Sequence, residues 1–302
     1  MTAQRHLITL EAMSRGDIEL ILQRAAEFRS LKPPQALAGI TVANLFFEPS
    51  TRTRVSFELA AMRLGAHVVQ FDVEHSSTQK GETLLDTLRN LEAMGVSQFV
   101  VRHKENGTPA YLAERAGAGV SIINGGDGNH AHPTQGLLDA FTILRHKPDL
   151  ANRTVAIIGD ILHSRVARSD IHALRALGVG SLRVAGPAAL LPEADALPGC
   201  SIHHHIDDAV RDADVVIMLR LQKERMQHAL IDSDAAYFAE WGLTEARLAR
   251  ARRDAIVMHP GPINRGVEIA DAIADGPQSC ILEQVGNGVA VRMAVMAGLA
   301  AT

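Results

Sequence analysis

The residues best suited to chemistry lie in short polar runs that each follow an apolar stretch of strand length. The first is Phe47-Glu48-Pro49-Ser50-Thr51-Arg52-Thr53-Arg54. Ser50, Thr51 and Thr53 offer hydroxyls, and Arg52 offers a planar cationic fork. The helix that follows opens with backbone N–H groups that have no acceptor within it. Together these are the parts of a phosphate cradle. The same residues also suit an ordinary helix cap flanked by solvated arginines. A second run, His130-Ala131-His132-Pro133-Thr134-Gln135, is followed by Asp139. Two histidines two apart suggest a metal, but no convincing third and fourth ligands accompany them. A polar loop after a strand is also where an open α/β fold carries binding residues. A third run, Arg220-Leu221-Gln222-Lys223-Glu224-Arg225, reads on its own as a solvated helix start.

Other signals are weaker. Arg102 closes an apolar run and is by itself an ordinary surface arginine. Ser76 to Thr83 reads as a mobile loop and helix cap, in which Lys80 alone is uninformative. Gly159-Asp160 lies between a strand and Ser164-Arg165, yet no G-x-G-x-x-G occurs there, so a dinucleotide is not expected. His203-His204-His205 is either a solvated loop or a metal- or pH-sensitive patch.

The elements that must position these residues alternate between strand-length and helix-length patterns, as in parallel α/β architecture. Helices are expected at 17–31, about 53–64, 82–94 and about 134–144. Strands are expected at 40–47, 67–71, 96–101 and 120–124, with 125–133 irregular. A boundary near 146–150 divides a first domain, 1–147, from a second, 148–302. The alternation then restarts with strands at 154–158, 181–185, 214–219 and 255–258, and helices near 166–177 and 207–211. A last helix, about 281–299, begins a segment (281–302) expected to return to the first domain. The predicted fold is two parallel-sheet, three-layer αβα domains.

The chain has 302 residues with 30 basic and 34 acidic side chains, a formal charge of -4. That balance gives no nucleic-acid footprint. Cys200 and Cys280 are the only cysteines, which argues against a disulfide scaffold and a four-thiolate metal site. The opening residues lack the apolar block of a signal peptide and no apolar run is long enough for a bilayer, so a cytoplasmic enzyme is expected.

The run 47–54 strongly resembles the carbamoyl-phosphate signature of the aspartate and ornithine carbamoyltransferase family, and further matches in the same order extend the resemblance over almost the whole chain. It implies that Ser50, Thr51, Arg52 and Thr53 hold phosphate. Thr53, Arg102 and His132 then stabilise the carbonyl oxygen, and Gln135 orients the carbamoyl amide. Ser76 and Lys80 reach the site of a neighbouring subunit, Lys80 touching both substrates. Some relatives have two adjacent lysines where this chain has Gln79-Lys80. In His259-Pro260-Gly261-Pro262 the backbone of Pro260 and Gly261 meets the carbamoyl nitrogen; many relatives have leucine at Gly261. Arg165, Arg220 and Gln222 would bind the amino acid, and Arg265 would shape that pocket.

The resemblance further implies transfer of a carbamoyl group to L-aspartate, in de novo pyrimidine biosynthesis. Ornithine or another amino acid is the alternative acceptor, and a non-catalytic carbamoyl-phosphate sensor is the alternative class. The ornithine branch uses a His-Cys-Leu-Pro segment that is absent here, and two arginines suit a dicarboxylate. The implied assembly is a homotrimer with shared sites, closing around its substrates without metal or organic cofactor. Regulatory or dihydroorotase-type chains are possible partners; nucleic acid and membrane are not expected.

Overall fold

The computed structural model describes residues 5–30, 33–72, 76, 80–226 and 233–300. By contacts the chain forms two units. One runs to Leu138 and resumes at Gly286; the other is Asp139–Val285. Both changes of unit fall inside helices.

The first unit is built on a parallel sheet of β1 (Thr41–Phe46), β2 (His67–Gln70), β3 (Val96–His103) and β4 (Ser121–Asp127), in the order β2-β1-β3-β4. β1 is buried on both faces through Val42, Ala43, Asn44 and Leu45, the pattern of a central parallel strand covered by helices. After α1 (Arg15–Ser30), three crossover helices link the strands: α2 (Thr51–Arg63), α3 (Leu84–Ala93) and α4 (Thr108–Ala113). α3 starts where Thr83 accepts the Asp86 N–H at 3.2 Å. α5 (Pro133–His146) begins in this unit and continues into the next.

The second unit holds β5 (Thr154–Ile158), α6 (Arg165–Ala176), β6 (Ser181–Ala185), β7 (Ser201–His203), α7 (Ile206–Val210) and β8 (Val215–Met218). α8 (Asp234–Trp241), α9 (Glu245–Leu248), β9 (Ile256–Met258) and α10 (Asp271–Ala274) complete it, in the strand order β7-β6-β5-β8-β9. Ile158, Met218, Val257, Tyr237 and Trp241 share its core. α11 (Ile281–Ala300) then carries the chain back to the first unit. There Arg292 lies over the Phe57 ring at 4.9 Å, and the Gln98 side chain donates to the Met296 carbonyl at 3.2 Å. The expected fold and the return of the last helix are therefore present. Among the described residues no helix is long and apolar enough to cross a membrane.

Two local expectations change. The strand expected to end at Asn124 continues through Gly125 and Gly126 to Asp127, because glycine lets β4 pass close to Val100 and Phe46. The histidine run is not all loop: Ser201–His203 pairs in parallel with β6.

The interior of the second unit contains a carboxyl pair. Asp170 on α6 is buried with no hydrogen-bond donor on either oxygen, and Asp139 on α5, itself bonded by Gln284 at 2.5 Å, lies against it. Burial first, and the Asp139 charge second, push the Asp170 carboxyl well above its ordinary range. A raised folded value adds stability that is complete below the unfolded value, about 3.9, and is lost as pH rises through the folded one. Asp170→Asn is therefore expected to flatten the fall in melting temperature as pH rises above about 3.9. An unchanged slope in thermal scans would show that Asp170 is already ionised in the fold.

Candidate active site

In each sheet the strand order reverses at one place. β1 is followed by β2 on one side and, later, by β3 on the other; β5 is followed by β6 on one side and, later, by β8 on the other. Loops leaving the carboxyl ends of such neighbours diverge and open a crevice. The candidate residues concentrate at these two places.

In the first unit the run 47–50 leaves β1 and turns into α2. Ser50 is extended at the helix start, and its side chain makes no capping hydrogen bond. The first helical bond runs from the Arg54 N–H to the Ser50 carbonyl at 3.1 Å, so the N–H groups of Thr51, Arg52 and Thr53 lie outside the ladder. Capping alone thus leaves the Ser50 hydroxyl unused. Thr53 is buried, whereas Thr51 and Arg52 are exposed. Arg102, the penultimate residue of β3, lies opposite Phe46, and its carbonyl accepts the Phe47 N–H at 2.9 Å. The Arg102 guanidinium donates to the Gly125 carbonyl at 3.1 Å and faces Glu48 at 3.4 Å, which fixes its direction. This is an anion-binding arrangement: a helix start, three hydroxyls and two arginines.

His132 and Gln135 stand at the start of α5, beyond the end of β4, and both are buried; the Gln135 N–H donates to the His132 carbonyl at 2.9 Å. His130 turns elsewhere, with Nδ1 2.9 Å from Asp127 and Nε2 3.3 Å from Glu11. The two rings therefore serve different partners. Ser76 is half-buried and Lys80 exposed, both after β2. Gln79 lies outside the described residues.

In the second unit Arg165 opens α6, whose N-cap Ser164 accepts the Ala167 N–H at 3.1 Å. Arg165 is 6% exposed. Arg220 and Gln222 follow β8. A single buried carboxylate organises this end: Asp160 accepts the Gln222 N–H at 3.1 Å, the His163 N–H at 3.2 Å and the His163 ring at 2.8 Å. The Gln222 amide in turn donates to the His163 carbonyl at 3.0 Å. Arg220 forms a two-pronged pair with Glu224, one prong at 3.1 Å. That bond, with further help from Glu224, Glu268 and Asp160, raises the guanidinium pKa against the opposing effect of burial. Burial opposes ionisation of Glu224, but Arg220 outweighs it and holds the carboxyl below its usual range. The fork of Arg220 is thus formed and occupied by a carboxylate.

Pro260 and Gly261, expected beside the carbamoyl group, follow β9 and belong to this second unit. The Gly261 N–H donates to His259 Nδ1 at 2.8 Å, which assigns the ring proton to Nε2, facing buried Glu268 at 3.2 Å. Glu268 also accepts the Asn264 N–H at 2.8 Å. Gly261 takes φ +67, where glycine is unstrained and leucine is not. Arg265 is exposed and held by Asp271 and Asp275, so it braces its own loop.

Asp160, Glu268 and Glu48 support these residues but were given no role on the sequence. Glu48 lies within the first motif and Asp160 directly follows Gly159, so position was the available signal; their partners are distant in sequence.

Two open parallel sheets with anion-seeking residues at their reversal points define an α/β enzyme that handles acidic small molecules. Residues 5–145 match "Aspartate/ornithine carbamoyltransferase, carbamoyl-P binding domain", and residues 151–299 match "Aspartate/ornithine carbamoyltransferase, Asp/Orn binding domain". The chain is 58% identical over 298 residues to the aspartate carbamoyltransferase catalytic subunit of Xanthomonas campestris pv. campestris (strain B100), covering 97% of this chain and 95% of that one. The catalytic subunit from Stenotrophomonas maltophilia (strain R551-3) is 57% identical over 299 residues, with the same coverage. Among solved structures, Trypanosoma cruzi aspartate transcarbamoylase in complex with carbamoyl aspartate and phosphate superposes with TM-score 0.85 at 32% identity, covering 97% of this chain and 94% of that one. Ornithine carbamoyltransferase from Pyrococcus furiosus gives 0.87 at 30%, covering 97% and 96%. The chain belongs to the aspartate/ornithine carbamoyltransferase family.

Asp160→Ala leaves three donors from His163 and Gln222 without their acceptor. The expected loss is about 1–3 kcal/mol, measured by urea denaturation, and stability equal to wild type would show that water replaces the carboxylate.

Proposed function

We propose that this chain is the catalytic chain of an aspartate carbamoyltransferase, converting carbamoyl phosphate and L-aspartate to N-carbamoyl-L-aspartate and phosphate in pyrimidine biosynthesis. The observation that carries the choice of acceptor is the pair of arginines, Arg165 and Arg220, at the reversal point of the second sheet. An aspartate carboxylate suits the fork that Glu224 fills, whereas the cationic side chain of ornithine would be repelled there. Fold likeness does not separate the two acceptors, since both kinds of relative superpose equally well.

In this reading the phosphate sits on Ser50, Thr51, Arg52, Thr53 and Arg102, and Gln135 orients the carbamoyl amide. Arg165, Arg220 and Gln222 hold L-aspartate, and the Pro260–Gly261 backbone meets the carbamoyl nitrogen. The neutral amine attacks the carbamoyl carbon, forming a C–N bond and placing negative charge on the carbonyl oxygen. Thr53, Arg102 and His132 stabilise that charge. The tetrahedral intermediate then breaks its C–O bond, and the leaving phosphate takes the amine proton. No side chain acts as a covalent nucleophile.

Lys80 and Ser76 complete the site of an adjacent subunit in a cytoplasmic homotrimer. α2 supports this assembly. Thr53, Phe57, Ala60 and Ala61 face the core of the first unit, while Val55, Leu59 and Met62 form a second apolar stripe, 42%, 39% and 58% exposed. A helix apolar on two faces suits a subunit contact.

The deciding assay offers L-aspartate and L-ornithine in parallel to the purified chain with carbamoyl phosphate. N-carbamoyl-L-aspartate is the expected product. Turnover with ornithine only would overturn the acceptor, and binding without turnover would favour a sensor. Arg220→Ala is expected to lower kcat/KM for aspartate by about tenfold to a hundredfold while leaving carbamoyl-phosphate binding intact. Mixing inactive Lys80→Ala chains with inactive Arg52→Ala chains should restore part of the activity; mixed trimers without recovery would argue against shared sites.

A further inference from the structure

Away from both sheet ends, three different donor groups converge where α5 meets the start of α11. His146 is the last residue of α5, Cys280 immediately precedes α11, and Glu283 lies in its first turn, all within the second unit. His146 Nε2 is 2.8 Å from Glu283 Oε2 and 3.6 Å from Cys280 Sγ, and the three donor atoms lie within 4.8 Å of one another. We propose that this cluster binds a divalent transition-metal cation, Zn2+ by preference, through His146 Nε2, Cys280 Sγ and a Glu283 carboxylate oxygen, with water as fourth ligand.

The dimensions favour a cation at the centre. Tetrahedral zinc with a sulfur at about 2.3 Å and a nitrogen at about 2.0–2.1 Å sets those ligands about 3.5 Å apart, close to the 3.6 Å observed. The nitrogen and carboxylate oxygen need to separate by about half an ångström from hydrogen-bond to ligand spacing. One thiol, one imidazole and one carboxylate also form a donor set that suits zinc better than calcium or magnesium.

The geometry argues against the obvious rival, a Cys-His-Glu nucleophile. Such a relay uses the two ring nitrogens for different partners, one toward sulfur and one toward carboxylate. Here the same Nε2 meets both. Burial first, then Glu283, pushes the Cys280 thiol up, the wrong direction for an activated nucleophile. Binding of the cation releases that thiol proton to solvent.

The surroundings fit a ligand shell. Arg145 Nε donates to Glu283 Oε1 at 2.9 Å, which orients the carboxylate and leaves Oε2 toward His146. Cys280 is buried, while His146 is exposed, so a cation and its water have a route in on the imidazole side. Cys280 and Glu283 are three apart at a helix start and so share a face. His146 comes from 134 positions earlier, which is why no local motif announces the site.

The test is Co2+ titration of the untagged, full-length protein, followed by absorption. A single Co2+ per chain should give a thiolate-to-cobalt charge-transfer band, with visible bands of four-coordinate intensity that Zn2+ abolishes. Cys200→Ser should retain the charge-transfer band, and Cys280→Ser should lose it. His146→Ala should weaken Co2+ binding by about tenfold or more; this exposed replacement keeps the test decisive even where Cys280→Ser unfolds. A wild-type protein with no thiolate band, a band that survives in Cys280→Ser, or unchanged affinity in His146→Ala each overturns the proposal. Unchanged affinity would move the binding to other histidines, such as the run at His203.

Discussion

Parallel strands in one sheet can be joined only by crossovers, and where successive crossovers change direction the loops on the two sides part. That constraint is met once in each sheet. Between β1 and β3 the divergence leaves room beside the start of α2, and Arg102 enters from the far side. Between β5 and β8 it leaves room between the start of α6 and the turn carrying Arg220 and Gln222. Gly159 shows how narrow the tolerance is. It takes φ +129 at the end of β5, and a Cβ there would come within 2.9 Å of the Leu219 carbonyl.

Cations gathered at strand ends must be held apart and aimed, and neighbouring carboxylates do this. Glu48 and the Gly125 carbonyl direct Arg102. Asp160 fastens the loop after β5 to the loop after β8, and Glu268 fixes the ring of His259 and, through it, the backbone at Gly261. Asp160 is fully buried and is matched by N–H donors, the condition under which a buried charge is tolerated.

Much of this was legible in the chain. The alternation of apolar runs with amphipathic stretches reported the parallel sheets, and the run Ser50 to Arg54 falls at the start of α2. Other features were hidden for physical reasons. β4 continues through Gly125 and Gly126, residues that local propensity assigns to loops; pairing of Arg102 with Gly126 overrides it. β7 is a short edge strand of Ser201, Ile202 and His203, too brief to show alternation. α8, α9 and α10 are helices of eight, four and four residues that place Tyr237, Trp241, Leu248, Ile273 and Ala274 in the core of the second unit. Asp160 acts in part through a partner that only the fold brings near, Gln222, 62 positions away.

The passage of the chain between units inside α5 and α11 has a consequence for biosynthesis. The first unit joins residues up to Leu138 with residues from Gly286 on: Arg292 stacks on Phe57, and Met296 receives Gln98. Emerging from a ribosome, the sheet of the first unit would be left without its covering helix until residues 286–300 have appeared, while the Asp139–Val285 unit, being continuous, has all its residues earlier. The unit begun first is therefore the one finished last, which leaves the apolar ground beneath α11 as the surface that chaperones would need to shield on the nascent chain.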